Sequence, residues 1–147
     1  MPSNFKYRSG LSSAGAYQVS GVPFMSGSGM VIPVKTGTPV KVSFPYVTQW
    51  VIVENTSNQA IRVGFSHHGM KYHALSDTDP INYFVLKAQA DDESMSRVRL
   101  DVRVKDIYLL SDTATVASAQ IAAGLTTVPT EELTGTYDNW TGSSGVG

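Results

Sequence analysis

Three histidines, His67, His68 and His73, lie close together in the chain. Neutral imidazole is the commonest metal ligand, so this cluster is the first candidate for chemistry. The spacing does not place two rings on one helix face. No His-x-His pair is followed by the glutamate that metal-binding cupins use, and with no cysteine in the chain nothing completes a shell. The expectation is loop histidines, with no metal and no cofactor. Gly64-Phe65-Ser66-His67-His68 resembles the start of a Gly-x-Ser-x-Gly nucleophile elbow, and Asp77 or Asp79 could orient a histidine. The last glycine is missing, however, and no clear helix follows the serine.

The remaining charged groups also have plain readings. Asp91, Asp92 and Glu93 offer the oxygens that hard cations take, but the EF-hand pattern is absent and the run reads as a solvated hairpin tip. Arg97, Arg99, Arg103 and Lys105 share one face of an alternating segment, with Asp101 among them. Such a stripe can meet phosphate, yet no aromatic platform is interleaved on that face. A solvent-facing strand or a subunit contact fits it better, and charge also guards a sheet edge against stray pairing. There is no Gly-x-x-x-x-Gly-Lys-Ser/Thr phosphate loop. Asn55-Thr56-Ser57 and Asn139-Trp140-Thr141 match the glycosylation sequon and are read as chance matches, because no signal peptide is visible. The inventory holds no catalytic constellation, so the chain is not expected to be an enzyme.

These residues must be positioned by strands. Val40, Val42 and Phe44 alternate with Lys41 and Ser43, the period of two that sends side chains to opposite sheet faces. Val47 to Val53 is apolar on both faces, with Trp50 read as core. Ile61, Val63 and Phe65 alternate with Arg62 and Gly64, and Ile81 to Lys87 is another β-branched and aromatic run. The cleanest alternation is Arg97 to Lys105; its phase shifts at Asp106, where a bulge or tight turn would absorb one residue. Turn residues separate these runs at 36–39, 55–58, 77–80 and 91–94. With Met30 to Val34, and Thr115 to Ile121 as a weak last candidate, the count is about eight strands. Thr113 to Ala123 could instead form a short helix, since alanine and glutamine favour one. The expected core is Val40, Val42, Val51, Val53, Ile61, Val63, Val98, Leu100, Val102 and Val104. An all-β single jelly-roll sandwich is the expected fold, and pattern alone leaves an immunoglobulin-like strand order open.

Composition narrows the class. The chain has 147 residues, enough for one domain with its own core. Charged residues make up only 16%, below the roughly 25% of an average soluble domain, which argues against a disordered chain. Eleven Lys and Arg against twelve Asp and Glu leave a net charge of -1, with no basic excess to hold nucleic acid. Mean hydropathy is -0.07, and no apolar run approaches the roughly 20 residues of a membrane span. Direct nucleic-acid binding, a membrane span and export are therefore not expected.

The expected organisation is an extended arm over 1–29, a jelly-roll domain over 30–123 and a Gly/Ser/Thr-rich tail over 124–147. The arm sets bulky Phe5, Tyr7, Tyr17 and Phe24 in a Ser/Gly background, and the tail has only Tyr137 and Trp140 as aromatics. A free linker has no need of such side chains. These six residues are the candidate subunit contacts.

Phe5-Lys6-Tyr7-Arg8-Ser9-Gly10-Leu11 and Ala16-Tyr17-Gln18-Val19-Ser20-Gly21-Val22-Pro23-Phe24 resemble the N-terminal arm of small structural proteins of large icosahedral double-stranded DNA viruses. The ending Asn139 to Gly147, the Phe44 to Trp50 stretch and the Leu100 to Val104 strand are similar too. The resemblance implies a single jelly-roll penton protein. Five copies would close each vertex of a capsid whose faces are larger double jelly-roll subunits. It implies a homopentamer in the virion, with neighbouring major and minor capsid proteins as partners and no catalytic or cofactor residue. A cement protein of the same shell is the nearest alternative. A carbohydrate- or receptor-binding sandwich, with Trp50, Tyr72, Tyr83 or Trp140 against a sugar ring, is the rival from another class.

Overall fold

A computed structural model describes residues 10–11, 14–70 and 83–133. Among them are one short helix, α1 (Ala14–Gln18), and eight strands. The strands are β1 (Val22–Ile32), β2 (Val40–Ser43), β3 (Tyr46–Asn55), β4 (Ile61–Gly64), β5 (Tyr83–Leu86), β6 (Arg97–Leu100), β7 (Asp106–Ser111) and β8 (Ala117–Pro129). They form two antiparallel four-stranded sheets, ordered β1-β8-β3-β6 and β2-β7-β4-β5. The pairing is nested: β1 lies beside β8, β2 beside β7, β3 beside β6 and β4 beside β5. The chain thus doubles back on itself between β4 and β5. An immunoglobulin-like order would set the first strand beside the second. Here its neighbour is the last.

The alternating residues meet between the sheets. Val51 and Val53 of β3 and Ala117, Ala119, Ile121, Ala123 and Leu125 of β8 face Val42, Ile61, Val63, Leu86, Ile107 and Leu109 of the second sheet. Small alanines on the central strand β8 leave room for the branched side chains opposite, so the layers can reach native packing density. This settles 117–123 as strand. The helix propensity of alanine, a few tenths of a kcal/mol per residue, is outweighed by pairing to both β1 and β3.

Four features differ from expectation. Residues 22–29, expected in the arm, begin β1, because Phe24, Met30 and Ile32 all pack on the core. Between Ser26 and Met30 the register slips against β8, and this Ser/Gly insertion hides the alternation in the sequence. Residues 124–129, expected in the tail, complete β8, and Leu133 beyond them is buried. The phase change at Asp106 is no bulge within one strand: β6 ends at Leu100 in one sheet and β7 begins at Asp106 in the other. Finally, Leu100 sits opposite Val51 on the edge strand and is only half-buried, outside the core cluster.

The crossing from β6 to β7 runs beside the crossing from β2 to β3, and one buried threonine ties them. Thr48 Oγ1 donates to the Val102 carbonyl at 2.6 Å and accepts from the Val104 amide at 3.0 Å. The Thr48 amide donates to Val104 and the Phe44 amide to Lys105. A buried amide or carbonyl without a partner costs about 1–3 kcal/mol, so this corner is closed by satisfying its backbone.

The difference between Leu109 and Leu100 is measurable. Leu109→Ala removes a fully buried side chain and should cost about 2–5 kcal/mol, whereas Leu100→Ala, half-exposed, should cost about 1 kcal/mol. Urea unfolding of the two variants checks this; equal losses would contradict the edge position of β6.

Candidate functional site

The outer face of the first sheet carries a second, smaller apolar cluster. Val47, Val128 and Leu133 are buried there beneath Leu11, Ala16 and Tyr17. α1 has only five residues, too few to be stable alone, and it stays helical because it lies on this face. Two side chains hold it. Gln49 Nε2 donates to the Val19 carbonyl at 2.7 Å and to the Ala16 carbonyl at 3.3 Å, and Arg103 donates to the Leu11 carbonyl at 3.1 Å. Residues 14–21, α1 and the chain that follows it, form a strap that enters β1 through Gly21, where a Cβ would fall 2.7 Å from the Gly124 Cα. Only glycine allows backbones that near.

Between strap and sheet edge lies a groove of about 680 Å³, lined by Leu11, Tyr17, Trp50, Arg99, Val102 and Arg103 among others. Trp50 is not in the intersheet core; it is half-buried on the outer face. Its indole rests against the bare Cα of its cross-strand partner Gly124, where a Cβ would lie 2.6 Å from ring atom Cε2. The Arg99 guanidinium sits 5.3 Å from the ring centroid, a cation–π contact. Arg99 also pairs with Asp101 at 3.3 Å. A sugar would need an open indole face, and Arg99 already lies over the ring. The Tyr17 hydroxyl is enclosed and has no hydrogen-bond partner among the described residues.

The expected contact residues divide. Tyr17 packs on the chain's own second cluster, and Phe24 meets Phe44 edge-on with centroids 5.0 Å apart. Both rings are partly buried within their own chain. Phe5, Tyr7, Tyr137 and Trp140 lie outside the described residues, as do Tyr72, His73, Asp77 and Asp79. His67 is exposed, and no group of three or more metal-ligating side chains occurs among the described residues. Ser66 is buried, its Oγ accepting from the Gly69 amide at 3.0 Å within its own turn. Asn55 is buried as well. Its amide donates to the Gln59 and Lys87 carbonyls while its oxygen accepts from Ser57, which excludes it as a glycan acceptor in the folded chain.

Sequence reasoning missed Arg62. It appeared only as a polar position in the alternation 61–65, but it is 5% exposed on the outer face of the second sheet. Its Nε lies 2.7 Å from Asp112, Nη1 donates to the Met70 carbonyl at 3.1 Å, and the guanidinium lies 4.6 Å from the Tyr83 centroid. A buried charge persists only when paired in this way. The run Ile61-Arg62-Val63-Gly64, buried at every position, gave no sign that a second layer covers its polar face.

The acidic run forms a defined turn at Glu93–Met95 leading into β6. The Asp92 carboxylate caps it, accepting from the Ser94 amide at 3.0 Å and the Ser94 hydroxyl at 2.6 Å. The hydroxyl bond is the main reason its pKa lies below the ordinary aspartate value. Asp91, Glu93 and Met95 are exposed around it.

Comparison with protein-family models, with curated proteins and with solved structures finds no match.

Gly124→Ala should push Trp50 off the sheet, costing about 1–3 kcal/mol and shifting the tryptophan fluorescence; an unchanged spectrum and stability would deny the close approach. The Asp92 cap sets a pH dependence. Its folded pKa is depressed, so its contribution is present above the unfolded value of 3.8 and is lost as pH falls through the lower folded value. Asp92→Asn should therefore be less stable than the parent at pH 7, with the gap closing well below 3.8. Thermal melts across that range test it.

Proposed function

We propose that the protein is a structural subunit of an icosahedral virus shell: a single jelly roll that closes the five-fold vertices as a homopentamer. The nested pairing of β1 with β8, β2 with β7, β3 with β6 and β4 with β5 carries this reading. Nested pairing across two facing sheets supports a jelly-roll order, an architecture that recurs in capsid subunits. Fold alone does not define function, so the surface matters too. Met25 and Val31 on β1 are 79% and 67% exposed, and β1, an edge strand among the described residues, carries no charged residue. Uncovered apolar side chains on such an edge are suited to a neighbouring subunit.

The strap alters how neighbours are reached. Residues 14–21 and the inward side chains of β1 pack on the chain's own body, so contact with major and minor capsid proteins falls to the exposed side chains of β1, to the sheet surfaces and to the segments bearing Phe5, Tyr7, Tyr137 and Trp140. No step of this role requires a cofactor, nucleic acid or catalysis, and the protein acts in the virion. Electron microscopy of intact particles is the direct test. Density matching this sandwich is expected at the five-fold axes; the same density at two-fold or three-fold positions, or within the faces, would replace the penton role by that of a cement protein.

A further inference from the structure

We propose that the groove beside Trp50 receives the acidic tip Asp91–Met95 of a second copy of this chain, in a head-to-tail contact. This deepens, and rests on, the reading of the protein as a ring of identical subunits. The groove offers Arg99 and Arg103 above an apolar floor of Trp50 and Val102. The tip offers the complementary set: exposed Asp91 and Glu93, with Met95 47% exposed beside them. Carboxylates meet the guanidinium wall, and the methionine thioether meets the edge of the indole, whose one face is taken by Arg99.

The tip is already folded for the purpose. The Asp91 and Asp92 amides both donate to the Ala88 carbonyl, Met95 donates to Asp92, and the Ser96 hydroxyl donates to Glu93. A turn ordered beforehand loses little entropy on docking. The groove is held in the same way, by Gln49 and Arg103 on the strap.

Topology makes the contact intermolecular. The tip directly precedes β6 and the groove lies at the far end of that edge, so Arg97 and Arg103 are separated by roughly 20 Å of extended chain. A copy cannot bring its own tip to its own groove. Two different patches then join, which is a heterologous interface, and such interfaces generate rings when the rotation closes. A net charge of -1 leaves little overall repulsion between copies. Asp101 competes for Arg99 from within the groove, so an incoming carboxylate shares that guanidinium.

Sedimentation velocity on the full chain tests the contact. Self-association is expected to weaken between about 50 mM and about 500 mM salt, because the facing charges are solvent-accessible and screened. R99E and D91K/E93K should each weaken it by about tenfold or more, with Arg103 kept because it holds the strap. The combined three-residue variant restores opposite charges in exchanged positions and should recover association, which also separates loss of contact from loss of fold. Parental association in both R99E and D91K/E93K, or no recovery in the combined variant when circular dichroism finds it folded, overturns the tip-and-groove contact. Intact rings in R99E and D91K/E93K would discard this contact and leave the ring reading standing. A parent protein that stays monomeric under all conditions would remove both.

Discussion

The close approach at Gly124 is the constraint on which the outer surface depends. Three pieces of chain converge there: the strap at Gly21, the indole of Trp50 on β3, and β8 itself. A side chain at Gly124 would occupy the space of the indole, and one at Gly21 would strike the Gly124 backbone. With both absent, β1 can swing into the sheet beside β8, and Trp50 can lie flat enough for Arg99 to cover it. The groove, the seat of α1 and the entry of β1 all follow. Dispersion and cation–π contacts there are individually small, but they share one geometric condition.

Polar groups hold the ends of the sandwich where the apolar layer runs out. Thr48 joins two chain crossings, Asn55 ties the end of β3 to the segment after β5, and Arg62 pins Asp112 and the turn ending at Met70. Each is buried and each has its partners. In a low-dielectric setting such bonds are strong when complete and costly when broken. They set where the sheets end, which apolar burial, being non-directional, does not specify.

Charge is distributed by element. The acidic tip directly precedes β6 and the arginine stripe runs from Arg97 along that edge and beyond its end, while the opposite edge of the same sheet, β1, carries no charged residue. One edge is thereby guarded against indiscriminate pairing, and the other is unpaired among the described residues. The two edges of the sheet thus present unlike surfaces.

Much of the sandwich was legible in the chain. Alternation along 40–44 and 61–65 identified β2 and β4, because a strand buried on one face must repeat every second residue, and the apolar run 47–53 identified β3; the inward positions Val42, Val51, Val53, Ile61 and Val63 were among the expected core. The same rule failed where a second force intervened. The Ser/Gly slip in β1 broke the period, so its first part, 22–29, read as an arm while the segment from Met30 read as a strand. The unbroken alternation from Arg97 to Lys105 crossed between sheets, which local pattern cannot register. Leu100 obeyed the period yet lay at an edge, since burial depends on what stands opposite. Trp50 and Arg62 exchanged their expected places for the same reason: side-chain type states a preference for water or oil, and only the tertiary structure decides whether another layer covers that face. Period and composition determined the class of fold; the pairing of first strand with last, the docked strap and the groove were decided by contacts between residues far apart in the chain.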